Sequence, residues 1–295
     1  MKILIDASSI VDKTTGAGQY SLQLLKALSE IDNRNEYFVI LQQKLKGTHP
    51  IFNIANNSNF HLIKKDIPAV GPKKQFSYFR LFKKHFNFDI LHSLNSELPL
   101  LYPKHMKSIV TIHDLKYLKY PYLFGNTILS TPKLEYLKYI IRKSAKKAHK
   151  IITVSKSTKI DIIKLLNTKE DKIKVIYESS NLALYANQKF CCNSNSKILE
   201  KFSIKKPYLL YVGEKRPHKN LKGLIKAFAL FKQKYDIWNT YLVITGKEYS
   251  DYKDYIYEAE NLGVLSNIII TGFIPDEYMC AVYTEAEILL LVSFY

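Results

Sequence analysis

Short apolar runs alternate with helical stretches along most of this chain, and this alternation limits the possible folds more than any other feature. Runs such as residues 3–5, 37–41 and 108–112 have the length and composition of strands that are buried in a parallel sheet. Between them, stretches such as residues 132–149 and 156–166 carry apolar side chains at helical spacing. The alternation predicts right-handed crossovers and an α/β fold with parallel sheets.

A polar segment divides the alternation into two series. Residues 181–206 show no clear period and contain repeated Asn and Ser, which is typical of a linker. After this segment the chain offers four further strands, at residues 208–212, 241–245, 268–271 and 288–292. A complete Rossmann-type sheet has about six strands, so we expect the second sheet to be incomplete. The predicted organisation is a domain over residues 1–183, a linker over 184–206 and a partial domain over 207–295.

The stretch YLLYVGEKRPHKN, residues 208–220, contains the strongest candidate site. A buried strand ends at Gly213, a basic loop follows, and then an amphipathic helix begins. Free N–H groups and the positive end of the dipole at a helix start attract phosphate, and Arg216 and Lys219 add full charges. A solvated helix start without a ligand explains the spacing equally well.

Glycine and polar side chains also follow other predicted strands. Gly16 and Gly18 open the first helix, whereas His113 and Asp114 end a strand, as do Ser155, Gly246 and Gly272 in their own segments. The carboxyl ends of parallel strands form one edge of a sheet, where open α/β folds bind ligands. Each motif also has a simpler interpretation: a strand-to-helix turn for the glycines, a structural histidine, and a helix cap at Ser155.

The motifs GAGQY, TIHD, ITVS and GEKRPHKN resemble, in this order, those of the family 4 glycosyltransferases, and the resemblance extends over nearly the whole chain. It implies the GT-B fold, in which two Rossmann-like domains face a cleft. It also implies a retaining transferase that moves a sugar from a nucleotide-sugar donor to a glycan or lipid-linked acceptor in cell-surface polysaccharide synthesis. Because the sequence lacks an Asp-x-Asp pair, we expect no metal, and we expect no cofactor.

The resemblance also implies roles for individual residues. Lys219 matches the family's phosphate-binding lysine, and Arg216 and His218 occupy positions that are basic but variable in the family. The implied catalytic residues are His113, which faces the donor sugar, with Arg216 and Lys219. The implied donor-binding residues are Gly16, Gly18, Gly213, Arg216, His218, Lys219, Gly246 and Gly272. Asp114 and Ser155 fall on the acceptor side, and Glu214 stands where many family members carry arginine.

The end of the sequence departs from the family pattern. In family 4, a strand like the one predicted at residues 288–292 runs into a Glu-Gly-Phe-Gly loop and a helix with a second glutamate, and this sequence shows neither. We therefore expect a C-terminally truncated chain. The alternative to an active transferase is an inactive or donor-binding-only remnant of one.

The net charge of +18, from 44 basic and 26 acidic residues, favours partners that are polyanions. No nucleic-acid module is recognisable, so we expect no specific nucleic-acid partner. Two basic and aromatic stretches, residues 73–86 and 132–150, suit peripheral contact with an anionic membrane. For the second stretch, a helix with its apolar stripe in the core is the simpler interpretation. The sequence has neither a signal-peptide pattern nor an apolar run of ~20 residues, so we expect a cytoplasmic protein, with such contact at the inner face of the membrane.

Overall fold

The computed structural model describes residues 1–12, 15–68, 71–83, 87–124, 130–179, 195–246 and 253–294. Residues 84–86 of the first basic stretch and residues 184–194 of the expected linker lie outside these ranges. The chain divides into two compact units, Met1–Ser179 and Ser180–Tyr295. All of the strand pairs in the described ranges are parallel, which confirms the predicted α/β class.

The first unit is built on a seven-stranded sheet with the order β3-β2-β1-β4-β5-β6-β7. Its strands are β1 (Lys2–Asp6), β2 (Glu36–Gln42), β3 (Phe60–Lys65), β4 (Ile90–Ser93), β5 (Lys107–Ile112), β6 (Lys150–Thr153) and β7 (Ile173–Val175). The strand order reverses between β1 and β4. Ligands of open α/β sheets bind beyond the carboxyl ends of the strands at such a reversal.

Helices cover both faces of this sheet, so the first unit has two hydrophobic cores. Neighbouring residues of β1 face opposite sides: Leu4 belongs to one core and Ile5 to the other, as the twofold period of a strand requires. The helices are α1 (Gly16–Ile31), α2 (Pro72–Phe82), α3 (Lys116–Lys119), α4 (Ser130–Lys147) and α5 (Lys156–Leu166), with 3-10 turns at Pro50–Asn56, Pro121–Phe124 and Glu170–Lys172.

The second unit has a four-stranded sheet with the order β10-β9-β8-β11, which corresponds to the order of β3-β2-β1-β4 in the first unit. Its strands are β8 (Tyr208–Val212), β9 (Tyr241–Thr245), β10 (Ile268–Gly272) and β11 (Ile288–Leu289). Its helices are α6 (Asn195–Lys201), α7 (Leu221–Tyr235), α8 (Lys253–Asn261) and α9 (Asp276–Thr284), with 3-10 turns at Pro217–Lys219 and Leu265–Asn267.

Two elements of the second unit differ from the sequence prediction. Helix α6 lies where a linker was expected, and it is held in place because Leu199 is buried in the same core as Tyr208 and Leu210 of β8. The strand expected at residues 288–292 contains only two residues. Beyond it, the chain still follows β8 through the Leu290 N–H, which donates to the Leu210 carbonyl at 2.8 Å.

Within the described ranges, no helix combines the length and the apolar character that crossing a membrane requires.

Candidate functional site

The loop between β8 and α7 contains a regular turn that its sequence did not suggest. Pro217–Lys219 forms a 3-10 turn, in which the Lys219 N–H donates to the Arg216 carbonyl at 2.8 Å. Asn220 then adopts the left-handed conformation (φ 57°), and its side chain makes no capping hydrogen bond to α7. The turn therefore places Lys219 two residues before the first N–H groups of the helix, which have no partner within the helix itself.

The basic side chains of this loop have different environments. The Arg216 Nε lies 2.7 Å from the Glu214 carboxylate, so the departure at Glu214 partly neutralises the arginine. His218 is buried, and its carbonyl accepts a hydrogen bond from the Phe294 N–H at 2.9 Å. Lys219 is half-buried and forms no ion pair with any residue that the structure describes. Among the predicted phosphate ligands, Lys219 therefore has the positive charge that is most available to bind a phosphate.

Gly213, Gly246 and Gly272 lie side by side at the carboxyl edge of the second sheet. The Gly213 N–H donates to the Thr245 carbonyl and the Gly246 N–H to the Gly272 carbonyl, both at 3.0 Å. Gly246 has a φ of +140°, and a Cβ at this position would lie 2.1 Å from the Gly213 carbonyl oxygen. Close backbone packing therefore requires a glycine at position 246, whether or not it also touches a ligand.

His113 lies at the carboxyl end of β5, and its ring has three neighbours: Leu94, Glu178 and Tyr20. Its Nε2 lies 3.2 Å from the Leu94 carbonyl. Since a carbonyl only accepts, this contact places a proton on Nε2. The other nitrogen, Nδ1, is 3.7 Å from the Glu178 carboxylate, and the ring meets Tyr20 edge-on at 4.7 Å between centroids. Tyr20 ends the GAGQY motif but was not assigned a role from sequence, and no sequence signal pointed to Glu178, which the segment after β7 brings to this position.

Asp114 and Ser155 both bond to backbone N–H groups. The Asp114 carboxylate accepts from the Lys116 N–H at 3.2 Å, which orients the turn into α3. The Ser155 hydroxyl caps α5 by accepting from the Thr158 N–H at 3.0 Å, which confirms the capping interpretation. The Thr158 hydroxyl in turn donates to the His113 carbonyl at 3.0 Å, so the cap of α5 also supports the histidine loop.

The glycines that open α1 have different surroundings. A Cβ on Gly18 would lie 3.2 Å from the Ser9 carbonyl oxygen, whereas a Cβ on Gly16 would meet nothing within 4 Å. The Thr15 hydroxyl caps this helix by accepting from the Gly18 N–H at 3.1 Å. Gly18 is thus explained by packing inside the unit, while Gly16 faces open space where a ligand has room to approach.

A buried ion pair near the end of β1 was not expected. Lys74, which the sequence placed among the cations of an exposed basic stretch, is fully buried with its Nζ 2.8 Å from the Asp6 carboxylate. Burial raises the pKa of Asp6, but the Lys74 ammonium and hydrogen bonds from Lys74 and Ser8 outweigh it and hold that pKa below its usual value. The pair fastens α2 to the carboxyl end of β1.

A second buried carboxyl group, Glu97, joins three parts of the first unit. It accepts hydrogen bonds from Gln75 at 2.7 Å, from the Tyr136 hydroxyl at 2.8 Å and from the Gly71 N–H at 3.3 Å. Burial raises the pKa of Glu97, and the charge of Lys74 and these donors oppose the rise. The segment after β4 is therefore tied to both α2 and α4.

Two residues that donate hydrogen bonds to Glu97, Gly71 and Tyr136, line a cavity of about 840 Å³ in the first unit. Its polar lining includes Asn95, Ser96, His113 and Asp114, which follow β4 and β5. The remaining lining is mostly apolar and comes from the region of α3 and α4. Within the described ranges, no group of three or more His, Cys, Asp or Glu side chains is placed to hold a metal ion.

The two basic and aromatic stretches present different surfaces. On α2, Phe76 and Phe79 are exposed, and they carry Arg80 and Lys83 over their rings at 4.4 and 4.7 Å. On α4, the apolar stripe is buried, as the simpler interpretation predicted; it includes Leu134, Ile141 and Ala145.

Family models match both units. A model described as Glycosyltransferase Family 4 matches residues 14–183, and one described as Glycosyl transferases group 1 matches residues 194–295.

Curated relatives include two bacterial proteins. The O-antigen chain mannosyltransferase RfbU of Salmonella typhimurium is 25% identical over 80% of this chain and 61% of its own length. The O-antigen chain mannosyltransferase B of Escherichia coli is 24% identical over 100% of this chain and 77% of its own length. The chain thus spans less than two thirds of RfbU.

Two solved structures share the fold at low sequence identity. WaaG, a glycosyltransferase involved in lipopolysaccharide biosynthesis, has a TM-score of 0.69 at 16% identity, covering 100% of this chain and 75% of WaaG. HepE of Anabaena, solved in complex with UDP and glucose, has a TM-score of 0.67 at 16% identity, covering 99% of this chain and 74% of HepE.

Proposed function

The chain belongs to glycosyltransferase family 4 and has a GT-B fold, and from this premise we propose that it transfers a sugar from a nucleotide-sugar donor to a glycan or lipid-linked acceptor. The transfer retains the configuration of the sugar, needs no metal ion and serves cell-surface polysaccharide synthesis. Relatives named as O-antigen mannosyltransferases and the UDP complex of HepE support this proposal. The observation that carries it is the basic 3-10 turn that leads into α7.

The donor diphosphate binds at the start of α7. Lys219 supplies a charge that no described carboxylate neutralises, and the first N–H groups of α7 add hydrogen-bond donors and the positive end of the dipole. Departure of the nucleoside diphosphate builds negative charge at this position, and preorganised positive charge is usually the largest catalytic term in such a reaction. Arg216 contributes less than Lys219 because Glu214 shares its charge. Gly213, His218, Gly246 and Gly272 form the edge against which the donor lies.

His113 steadies the donor sugar. Its Nε2–H donates to the Leu94 carbonyl, so Nδ1, 3.7 Å from the Glu178 carboxylate, is the ring nitrogen that faces a sugar hydroxyl. Gly16 leaves room for the donor beside α1. Asp114 and Ser155 border the acceptor, mainly by fixing the loops that the acceptor touches.

The exposed aromatic face of α2 contacts an anionic membrane surface. Phe76 and Phe79 supply apolar rings, and Arg80 and Lys83 supply positive charge beside them. We predict that a Phe76→Ser/Phe79→Ser variant co-sediments with vesicles containing phosphatidylglycerol about tenfold less than the wild type, because both apolar anchors are lost. Tyr139→Ser, which changes the exposed face of α4, is the control. An equal loss in both variants would place the contact elsewhere.

A ligand screen followed by a turnover assay tests the proposed function. Nucleoside diphosphates and their sugars, including UDP-glucose and GDP-mannose, are first screened by thermal shift. The stabilising donor is then supplied in radiolabelled form with a bacterial membrane-lipid and glycan extract. Stabilisation with label transfer supports the proposal. Stabilisation without transfer supports the donor-binding-only alternative, and the absence of stabilisation by every nucleotide contradicts the proposal.

A further inference from the structure

Three neighbouring strands of the first sheet begin at basic residues. Lys107 is the first residue of β5, whereas His149 and Lys172 directly precede β6 and β7. Because β5, β6 and β7 are parallel and pair in this order, their amino ends lie side by side. His113 follows β5 at the opposite, carboxyl edge of the sheet. The basic residues at the amino edge therefore lie apart from the candidate catalytic residue of this unit.

The hydrogen bonds of His149 determine which ring nitrogen carries the proton. The Ser108 backbone N–H donates to Nδ1 at 3.0 Å, so this nitrogen must keep its lone pair. The Ser108 hydroxyl lies 3.0 Å from the same nitrogen and accepts a hydrogen bond from the Tyr102 hydroxyl at 2.8 Å. The imidazole is therefore neutral, with its proton on Nε2. His149 is exposed, and among the described residues its Nε2–H has no hydrogen-bond partner.

Two lysines place positive charge beside this donor. Burial and then the charges of Lys107 and Lys172 lower the pKa of His149, so both ammonium groups lie close enough to act on the ring. Neither lysine forms an ion pair with a carboxylate within the described ranges. Lys172 donates to the carbonyls of Ala145 and Lys146 at the end of α4, at 3.3 and 3.0 Å. An ammonium group has three N–H donors, so one remains on Lys172 for a ligand.

The carboxylates near this edge do not cancel the positive charge. Glu170 pairs with a lysine of α5 at 2.7 Å, and the Asp89 carboxylate accepts a hydrogen bond from the backbone N–H at the start of β1 at 2.7 Å. Burial lowers the pKa of Lys172, an effect that Asp171 opposes and Lys169 reinforces. The amino edge therefore keeps a surplus of positive charge.

The three basic groups together favour one class of ligand. A neutral N–H donor beside two ammonium groups suits an anion that offers oxygen atoms in several directions. A phosphate group has such oxygen atoms in a tetrahedral arrangement, whereas a carboxylate has only two, in one plane. A bound phosphate would also relieve the repulsion between the two lysines. The amino edge therefore suits a phosphate better than a carboxylate.

We propose that Lys107, His149 and Lys172 bind a phosphate group at the amino edge of the first sheet. Free phosphate compounds and the headgroups of anionic lipids both carry this group, so either can be its source. The inference goes beyond the proposed transferase function, because the site lies at the opposite edge of the sheet from His113. It holds or fails independently of sugar transfer.

Nuclear magnetic resonance of the protein with isotopically labelled histidine tests the site. Sodium phosphate is titrated at constant ionic strength, and the ring signals of His149 are assigned by their loss in His149→Asn, whose amide oxygen can still accept from the Ser108 N–H. We expect the His149 signals to shift saturably with phosphate. His61 should not respond, since it is an exposed histidine on β3, the strand farthest from β7 in the same sheet. Equal, non-saturating shifts of both histidines, or no shift of either, would overturn the inference.

Two lysine substitutions locate the charge that phosphate binding needs. Lys107→Gln removes an ammonium group beside His149, whereas Lys26→Gln removes an exposed one from α1 and changes the net charge equally. Lys107→Gln should weaken phosphate binding by about threefold or more, as expected for the loss of one ion pair in contact with water. Lys26→Gln should leave phosphate binding unchanged. Equal weakening by both substitutions, or by neither, would show that phosphate does not bind at this edge and would reject the proposal.

A vesicle assay then identifies the source of the phosphate group. The two lysine variants and the wild type are sedimented with vesicles of phosphatidylglycerol and, as the zwitterionic reference, of phosphatidylcholine. If Lys107→Gln binds the anionic vesicles about threefold less than Lys26→Gln does, the ligand is a lipid headgroup. If the two variants bind these vesicles equally while His149 of the wild type still responds to phosphate, the ligand is a free phosphate compound.

Discussion

Lys73 and Lys74 stand side by side in the sequence and have opposite environments in the structure. Lys73 is exposed and pairs with an exposed carboxylate, Asp66, at 2.7 Å, whereas Lys74 is fully buried against Asp6 at 2.8 Å. Water screens the charges of the exposed pair, so removing one partner costs little free energy. The buried pair is not screened, so removing one partner leaves the other charge buried without compensation. In the second unit, Arg216 and Lys219 also differ in their surroundings, because Glu214 partly neutralises the charge of Arg216.

We predict that Lys74→Met destabilises the first unit by about 3–5 kcal/mol, because it leaves the Asp6 carboxylate buried without its partner. Lys73→Met, which removes an exposed charge, should cost less than about 1 kcal/mol. Urea unfolding followed by circular dichroism measures both variants. Similar small losses in the two would mean that Asp6 and Lys74 do not form a buried pair in solution.

The structure of each element shows which features local sequence determines and which depend on distant residues. The sequence predicted helix α5 with the observed bounds, because Ser155 caps it and its apolar spacing is regular. It also predicted the strands at residues 3–5, 37–41 and 108–112 to within one residue of the observed β1, β2 and β5 at each end. It did not predict α6, and it predicted β11 three residues longer than the observed strand; both elements depend on contacts with β8.

The candidate site likewise has some features that the local sequence predicts and others that depend on distant residues. Glycines and a histidine at strand ends are visible in sequence because their chemistry is local. The Asp6–Lys74 pair and the Glu97 ties were missed, since each joins residues that are far apart in the chain. The contact between His113 and Glu178 was missed for the same reason.

Glycine substitutions distinguish close packing from open space. Gly246→Ala should destabilise the second unit by about 2 kcal/mol or more, because a Cβ would meet the Gly213 carbonyl at 2.1 Å and the φ of +140° strains any side chain. Gly16→Ala should leave stability unchanged or raise it by less than about 1 kcal/mol, since its Cβ would enter open space. Thermal unfolding of the two variants tests this difference, and equal losses would refute it.

The whole molecule consists of two units with unequal sheets. Within the described ranges, the sheet of the first unit has seven strands and a core on each face, whereas that of the second unit has four strands, with the two-residue strand β11 at one edge. Ile288 and Leu289 of β11 are exposed, as are Leu291 and Phe294 after it. Among the described residues, β11 is therefore the least buried strand of the second sheet.

We predict that hydrogen exchange is slowest in the central strands of the first unit and fastest, among the strands, in β11. Short edge strands with few buried side chains open at low free energy. Mass spectrometry of peptides that cover residues 288–292 and 208–212 compares β11 with β8, and peptides from residues 3–6 report on the first unit. Equal and strong protection in all three regions would show that the second sheet is as stable as the first.

The central claim is that Lys219 and the start of α7 bind the diphosphate of a nucleotide sugar, and calorimetric titration with UDP and GDP tests it most directly. The control is Lys222→Ala, since Lys222 lies on the next turn and is exposed beside Asp254 at 3.5 Å. For whichever nucleotide binds the wild type, Lys219→Ala should weaken affinity by at least about tenfold, as expected for loss of a charged hydrogen bond. Lys222→Ala should change it by less than about twofold. Unchanged affinity in Lys219→Ala, or equal weakening in both variants, would contradict the claim.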